Sequence, residues 1–244
     1  MTRTDNKKIK IGAFLFPLIL LALGIGYSFY VVNYPQDKIV SNYVTYSKIF
    51  KLLSQHIGLV MASAGAAIVA SVPLGIFLTR PKFKRFTNVV VGIVNVGQTV
   101  PSLAILALFV SFLGVGFKSG VFALWVYSLL PILNNTLAGI LGVDKSILEA
   151  AKGMGMTATK ILTKIELPIA YPVIMAGIRT AVTINIGTAT LAAFIGAGGL
   201  GDLIIAGNNI NRWQIVILGA VLSALLALLT DYLMSLFEDH LKNI

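Results

Sequence analysis

The stretch DKSILEAAKGMGMTATKILTKIELP, residues 144–168, interrupts an otherwise apolar sequence and decides how the rest must be arranged. It is too polar and too regularly charged to cross a bilayer, yet residues 119–143 before it and 180–201 after it contain no Asp, Glu, Lys or Arg. Inside it, Ile147, Leu148 and Ala151 share one helical face, Gly153 and Gly155 permit a bend, and Thr157 can cap a second short helix carrying Ile161, Leu162 and Ile165. Helices this short are marginal alone in water, so their apolar stripes need something to pack against. A groove on a partner protein would serve.

The flanking runs set the solvent. The chain of 244 residues is 57% hydrophobic and 11% charged, with a mean hydropathy of +0.89. Residues 11–36 and 86–117 are also free of charge, and each such run can cross a hydrocarbon layer of about 30 Å, which takes about 20 helical residues. A soluble globular fold is excluded on this composition. The net charge of +10 sits in short basic clusters between apolar spans and forms no stripe with interleaved aromatics, so it argues for membrane topology and against nucleic acid. With no cysteine, disulfides, thiol chemistry and Cys-based metal sites are ruled out.

The expected fold is therefore all-α and polytopic, with about six transmembrane helices near 11–32, 57–79, 88–113, 120–143, 169–197 and 213–237. The first run extends past Tyr27 without a small-residue cleavage site, so it reads as an uncleaved span. With the N-terminus inside, thirteen Lys and Arg fall on inner segments and five on outer ones, which favours cytoplasmic N- and C-termini in a multi-pass protein of the cell membrane. Residues 39–56 have Tyr43, Tyr46, Ile49 or Phe50, and Leu53 at helical spacing, and read as an amphipathic connector lying along the outer surface. The organisation is then 1–56 as tail, first span and connector, 57–237 as one membrane domain holding the loop 144–168, and 238–244 as a short inner tail.

Glu149-Ala150-Ala151, three residues, Gly155, nine residues, then Ile165-x-Leu167-Pro168 resembles the EAA loop of the permease subunits of ABC importers at every defined position. The resemblance implies a type I importer core in which Glu149, Ala150, Ala151, Gly155, Ile165, Leu167 and Pro168 form a coupling helix seated in a cleft of a separate ATPase. It further implies two ATPase subunits, a second permease copy or homologue, and an extracytoplasmic substrate-binding protein. ATP and magnesium would be bound by the ATPase and no cofactor by this chain, which carries no phosphate loop: the cluster from Gly196 to Gly201 lacks the following lysine. Small Ala150 and Ala151 suit close approach, Gly155 suits a turn, and Pro168 suits the start of a span.

From about Ser54 to Gly207, the stretches around Gln98-Thr99-Val100-Pro101-Ser102, Tyr127 to Thr136, Ala176 to Ala181 and Asn185 to Thr190 are similar to osmoprotectant permeases, importers of glycine betaine, carnitine or choline. Gln98, Thr99, Ser102, Asn134, Asn135, Thr183, Asn185, Thr188 and Thr190 place neutral hydrogen-bonding groups within spans, where they can line a wet pathway or tie helices together. Thr180, Thr183, Gly187 and Thr190 share one face. Pro101 and Pro131 either break helices at a substrate site or kink them. Arg179 is expected to snorkel to the inner headgroups or to pair with a carbonyl, and Trp213 to anchor at the interface.

Other classes fit less well. A permease for amino acids or another small solute shares the loop but not the second set of stretches. A membrane-embedded enzyme would need a constellation that His56 and His240, read as interfacial histidines at opposite edges, do not supply. A channel would need a charged ring or a carbonyl filter, and neither is visible.

Overall fold

The computed structural model describes the backbone of residues 3–242 and the side chains of 15–238, and among these every regular element is helical. In chain order they are α1 (Arg3–Asn33), α2 (Lys38–Tyr43), α3 (Tyr46–Leu78), α4 (Thr87–Thr99), α5 (Ser102–Leu113), α6 (Phe117–Leu141), α7 (Lys145–Gly153), α8 (Ala158–Ile161), α9 (Leu167–Ala192), α10 (Gly201–Asn209) and α11 (Trp213–Lys242). Five helical stretches are long and apolar enough to span a membrane, and α4 with α5 makes a sixth candidate. His240 lies outside the described side chains.

Three boundaries differ from the sequence expectation. The second span does not begin near residue 57, because α3 runs unbroken from Tyr46. Thr45 Oγ1 accepts from Lys48 N at 3.2 Å to cap it, and Ile49 and Leu52 are buried with Val40 and Val44 against Leu200, Leu203, Ile215 and Leu218. The face expected to lie on the surface is thus partly packed into the protein: Ile49 is buried and Tyr43 and Leu53 half-buried, while Tyr46 and Phe50 stay exposed. The third span is broken: α4 and α5 meet at 99°. Val100 is extended, as a residue before proline prefers, and Pro101 opens α5 without needing its missing N–H. The fifth span is longer than 169–197, since α8 passes through a π-helical turn (Leu162–Glu166) directly into α9, and helix continues from Ala158 to Ile195. Its length of about 57 Å at 1.5 Å per residue projects well past any hydrocarbon layer.

The core forms where α6 packs along both α3 and α9. Close crossing of α6 and α9 depends on Gly177, where a Cβ would stand 2.5 Å from Asn135 Cβ and 2.8 Å from Pro131 O. The peripheral α1 packs on α11. At the α2 end it is pinned by Arg212 Nε donating to Asp37 Oδ2 at 2.5 Å, and by Gln214, which accepts from Gln36 N at 2.7 Å and donates to Tyr34 O at 3.0 Å. Hydrogen bonding to Val40 N, and then Arg212, holds the Asp37 carboxyl below its ordinary range. Leu18, Ile25, Val69, Ile93 and Phe112 are exposed apolar side chains on spanning helices, as a lipid solvent requires.

Candidate functional site

In the 144–168 loop, Asp144 caps α7 by accepting from Ser146 N at 2.8 Å, and this bond lowers its carboxyl pKa. The far end closes on Gly155, with φ at 75°. There Met156 N donates to Ala151 O at 3.1 Å and Gly155 N to Lys152 O at 2.9 Å, the paired bonds of a Schellman stop. Thr157 accepts from Lys160 N and starts α8. The first helix and the turn expected from the sequence are present, but the second helix is not a separate short one: α8 is the foot of the helix that continues to Ile195.

The expected apolar face is divided. Ala151 and Ile161 point into the protein, but Ile147 is 43% exposed and Met154 73%, with Ala150 and Glu149 uncovered beside them. Residues 147, 150 and 154 recur at helical spacing, so α7 presents one small apolar strip that none of the described residues covers. Ile165 and Leu167 are half-buried and Pro168 is exposed, just past the π-helical turn in the first turn of α9.

The polar positions within the spans separate into two groups. Asn185 does not line an open channel. It is fully enclosed, and its Nδ2 donates to Ser63 Oγ at 2.9 Å and Ser128 Oγ at 2.6 Å, joining α3, α6 and α9, while its Oδ1 is buried without a partner. Gln98 donates to Tyr127 O at 2.8 Å. That carbonyl is the one Pro131 cannot serve, so an amide on α4 replaces the bond that the proline removes from α6. Pro131 accordingly stays inside a continuous helix, whereas Pro101 marks a break. Tyr127 Oη in turn donates to Val100 O at that break.

By contrast, Thr99, Pro101, Asn134, Thr180 and Gly187 are exposed, and Ser102, Asn135, Thr183, Thr188 and Thr190 are half-buried. Several hydroxyls and one amide bond their own helix: Thr99 to Val96 O, Asn135 to Pro131 O, Thr188 to Ile184 O and Thr190 to Gly187 O. Gly187 has open space where a Cβ would stand.

Where the sequence suggests snorkelling or a carbonyl partner for Arg179, the structure pairs it with carboxylates. Its Nε and Nη2 bond the two oxygens of Asp231 on α11 at 2.6 and 2.7 Å, with Glu238 at 3.9 Å. Thr183 adds a 3.5 Å contact to Asp231 Oδ1, and a cavity of about 350 Å³ opens over Arg179, Thr180, Thr183, Ile184 and Asp231. The packing of α9 on α11 is what brings the two charged residues together.

His56 is not an interfacial histidine. It is fully enclosed, with Nε2 3.0 Å from Ile186 O and Nδ1 accepting from Leu200 N at 3.2 Å. This pair of contacts defines the tautomer protonated on Nε2. The ring therefore links α3, α9 and the glycine-rich turn. Trp213, at the start of α11, is exposed.

Helices sufficient for five or six spans, a broken span, and a two-helix loop projecting an uncovered apolar strip together define a membrane permease component. Residues 71–243 match the family model described as binding-protein-dependent transport system inner membrane component, and the chain belongs to that family. It is 48% identical over 187 residues to the choline transport system permease protein OpuBB of Bacillus subtilis, covering 77% of this chain and 85% of the relative. It is 47% identical over 184 residues to the glycine betaine/carnitine/choline transport system permease protein OpuCB of the same organism, covering 75% and 84%. The carnitine transport permease protein OpuCB of Listeria monocytogenes is 45% identical over 187 residues, covering 77% and 85%. The permease fold is also that of a methionine ABC transporter, MetNI, solved in inward-facing conformations: the TM-score is 0.73 at 20% identity, over 80% of this chain and 96% of that one.

Proposed function

We propose that this chain forms the translocation pathway of an ATP-driven importer for compatible solutes carrying a quaternary ammonium, such as glycine betaine, carnitine or choline. A separate ATPase docks on α7 and supplies the energy. The observation that carries the docking is the uncovered strip of Ile147, Ala150 and Met154 on a helix firmly capped at both ends. The solute class rests on the relatives named above, all transporters of such compounds. ATP and magnesium belong to the ATPase, and the α7 end faces the cytoplasm, with both termini on that side. An external binding protein delivers the solute at the opposite face.

A second permease copy, identical or homologous, completes the pathway. Arg179 and Asp231 leave 31% and 37% of their side-chain surface uncovered within spanning helices. Charges so placed cannot face hydrocarbon, where each costs several kcal/mol, about 3 by insertion scales. The face carrying them and the exposed Thr180 and Gly187 is turned to water or to the second copy, which makes these positions, with Thr99 and Asn134, the best-supported wall of the pathway.

Uptake of radiolabelled choline by cells expressing the whole transporter, with unlabelled competitors, tests the reading. Betaine and carnitine should compete strongly and proteinogenic amino acids weakly. Strong competition by an amino acid with none by any quaternary ammonium compound would overturn the solute class and leave the permease assignment standing.

A further inference from the structure

Glu166 is an ionisable residue buried between the loop and the first turn of α9, at the end of the π-helical turn. Its Oε2 accepts from Arg80 Nη2 at 2.5 Å, and the two side chains are 10% and 28% exposed. Arg80 stands just past the end of α3, where a cation is favoured by the helix dipole. Its guanidinium is anchored there: Nε donates to Ile76 O at 3.3 Å and to Thr79 Oγ1 at 3.2 Å, and Nη2 donates to Thr79 Oγ1 at 2.8 Å. Thr87, the first residue of α4, donates its hydroxyl to Leu78 O at 3.1 Å. At the other end of α4, Gln98 holds the chain to α6 just before the break at Pro101.

These contacts, joined by the length of α4, connect the foot of α9 through Glu166 and Arg80 to the end of α3, the start of α4 and the broken span. A partly buried charge pair adds little net stability, since desolvation offsets much of the attraction, but it resists separation because the more deeply buried Glu166 would be left alone. That combination suits a joint that must move as one piece. A single π-turn inside an α-helix frequently marks a functional site, and this one is the natural place for the loop to flex against α9.

We propose that the Arg80–Glu166 pair is the transmission contact of the transporter: it carries displacement of the α7–α8 loop into the corner between α3 and α4, and so to the break at Pro101. This rests on the reading of α7 as the ATPase dock. The two residues are positioning residues and touch neither ATP nor solute.

The test uses the assembled transporter, permease with its ATPase and binding protein, in proteoliposomes, scoring ATP hydrolysis and solute uptake together with co-purification of the ATPase. In Arg80→Gln and in Glu166→Gln, solute taken up per ATP hydrolysed should fall about 10-fold, within the range of coupling free energies of 1–3 kcal/mol, while the ATPase still co-purifies. Arg80→Lys, which keeps the charge but not the fork, should give an intermediate ratio. If solute per ATP stays at the wild-type value in both glutamine variants, or uptake falls only in proportion to folded protein, the pair is structural and the proposal fails. Loss of the ATPase itself from either variant would also overturn it, because the residues would then belong to the dock. Failure of the docking reading is seen separately, as an ATPase that remains bound when Met154 is changed.

Discussion

Gly155 and the Gly196–Gly201 run both turn the chain between helices with positive φ, at 75° in the first and at 65°, 80° and 97° for Gly196, Gly198 and Gly199 in the second. Their surroundings are opposite. From Ala197 onward the second turn is enclosed by its own chain: Gln55 Oε1 and His56 Nδ1 accept from Gly199 N and Leu200 N, and Gly201 sits against the Thr190 carbonyl. The Gly155 turn completes its own backbone bonding and leaves Met154 uncovered. A turn whose neighbours are all internal serves the fold. A turn equally well made but bare serves something that arrives, and the two should respond differently to damage.

The largest effect belongs to Gly201→Ala. The added Cβ would lie 1.9 Å from Thr190 O, so the backbone must move, at a cost on the order of 3 kcal/mol or more, and folded permease recovered in detergent should fall sharply. His56→Ala follows. It strands the buried Leu200 N–H and opens a cavity among fully enclosed groups, costing about 2–4 kcal/mol by thermal unfolding. Gly155→Val breaks the symmetry: a branched side chain is strained at this φ, but the loop is exposed and can remodel. Its melting temperature should stay within a few degrees of wild type while ATPase association is lost. A Gly155→Val protein as unstable as Gly201→Ala would erase the distinction between the turns.

The smallest effects are in pH dependence, where the two ends should differ in sign. The Asp144 carboxyl is held below its ordinary value, first by the Ser146 backbone hydrogen bond. Its contribution is present above the ordinary aspartate pKa of about 4 and lost as pH falls through the folded value. Asp202, the residue after Gly201, is raised by burial, an effect that nearby Lys48 opposes. Its protonated form is favoured in the folded protein, so stability present below about pH 4 is lost as pH rises through the folded value. Melting temperatures followed from about pH 2 to about pH 7 should fall more steeply at the acid end for wild type than for Asp144→Asn, and Asp202→Asn should remove the loss on the neutral side.

Much of this was legible in the sequence. Charge-free runs located the spans, and the spacing of Asp144 to Thr157 gave the first short helix, its turn and the start of the next helix, because caps and glycine stops are local features. Tertiary partners were not legible. Residues 46–56 have the same helical period whether they lie on a surface or extend a span, and Lys48 and Lys51 made the surface reading the natural one. His56 was misplaced for the same reason. The π-turn that fuses α8 to α9 has no signature in residue type. One partnership did leave a signal: Pro131 must free the Tyr127 carbonyl, and an intramembrane amide such as Gln98 is what can satisfy it. Asn185 and the Arg179–Asp231 pair needed the helix packing itself.

The most direct test of the central claim, that energy enters through a partner seated on α7, is co-purification of the ATPase with permease carrying Ile147→Asp and Met154→Asp. Both side chains are exposed in this chain, so the melting temperature of the isolated permease should be unchanged. Burying two carboxylates in an apolar contact should cut ATPase recovery at least about 10-fold, as loss of an interface anchor does. Full recovery of the ATPase with undiminished solute uptake would show that the strip is not the dock and contradict the account.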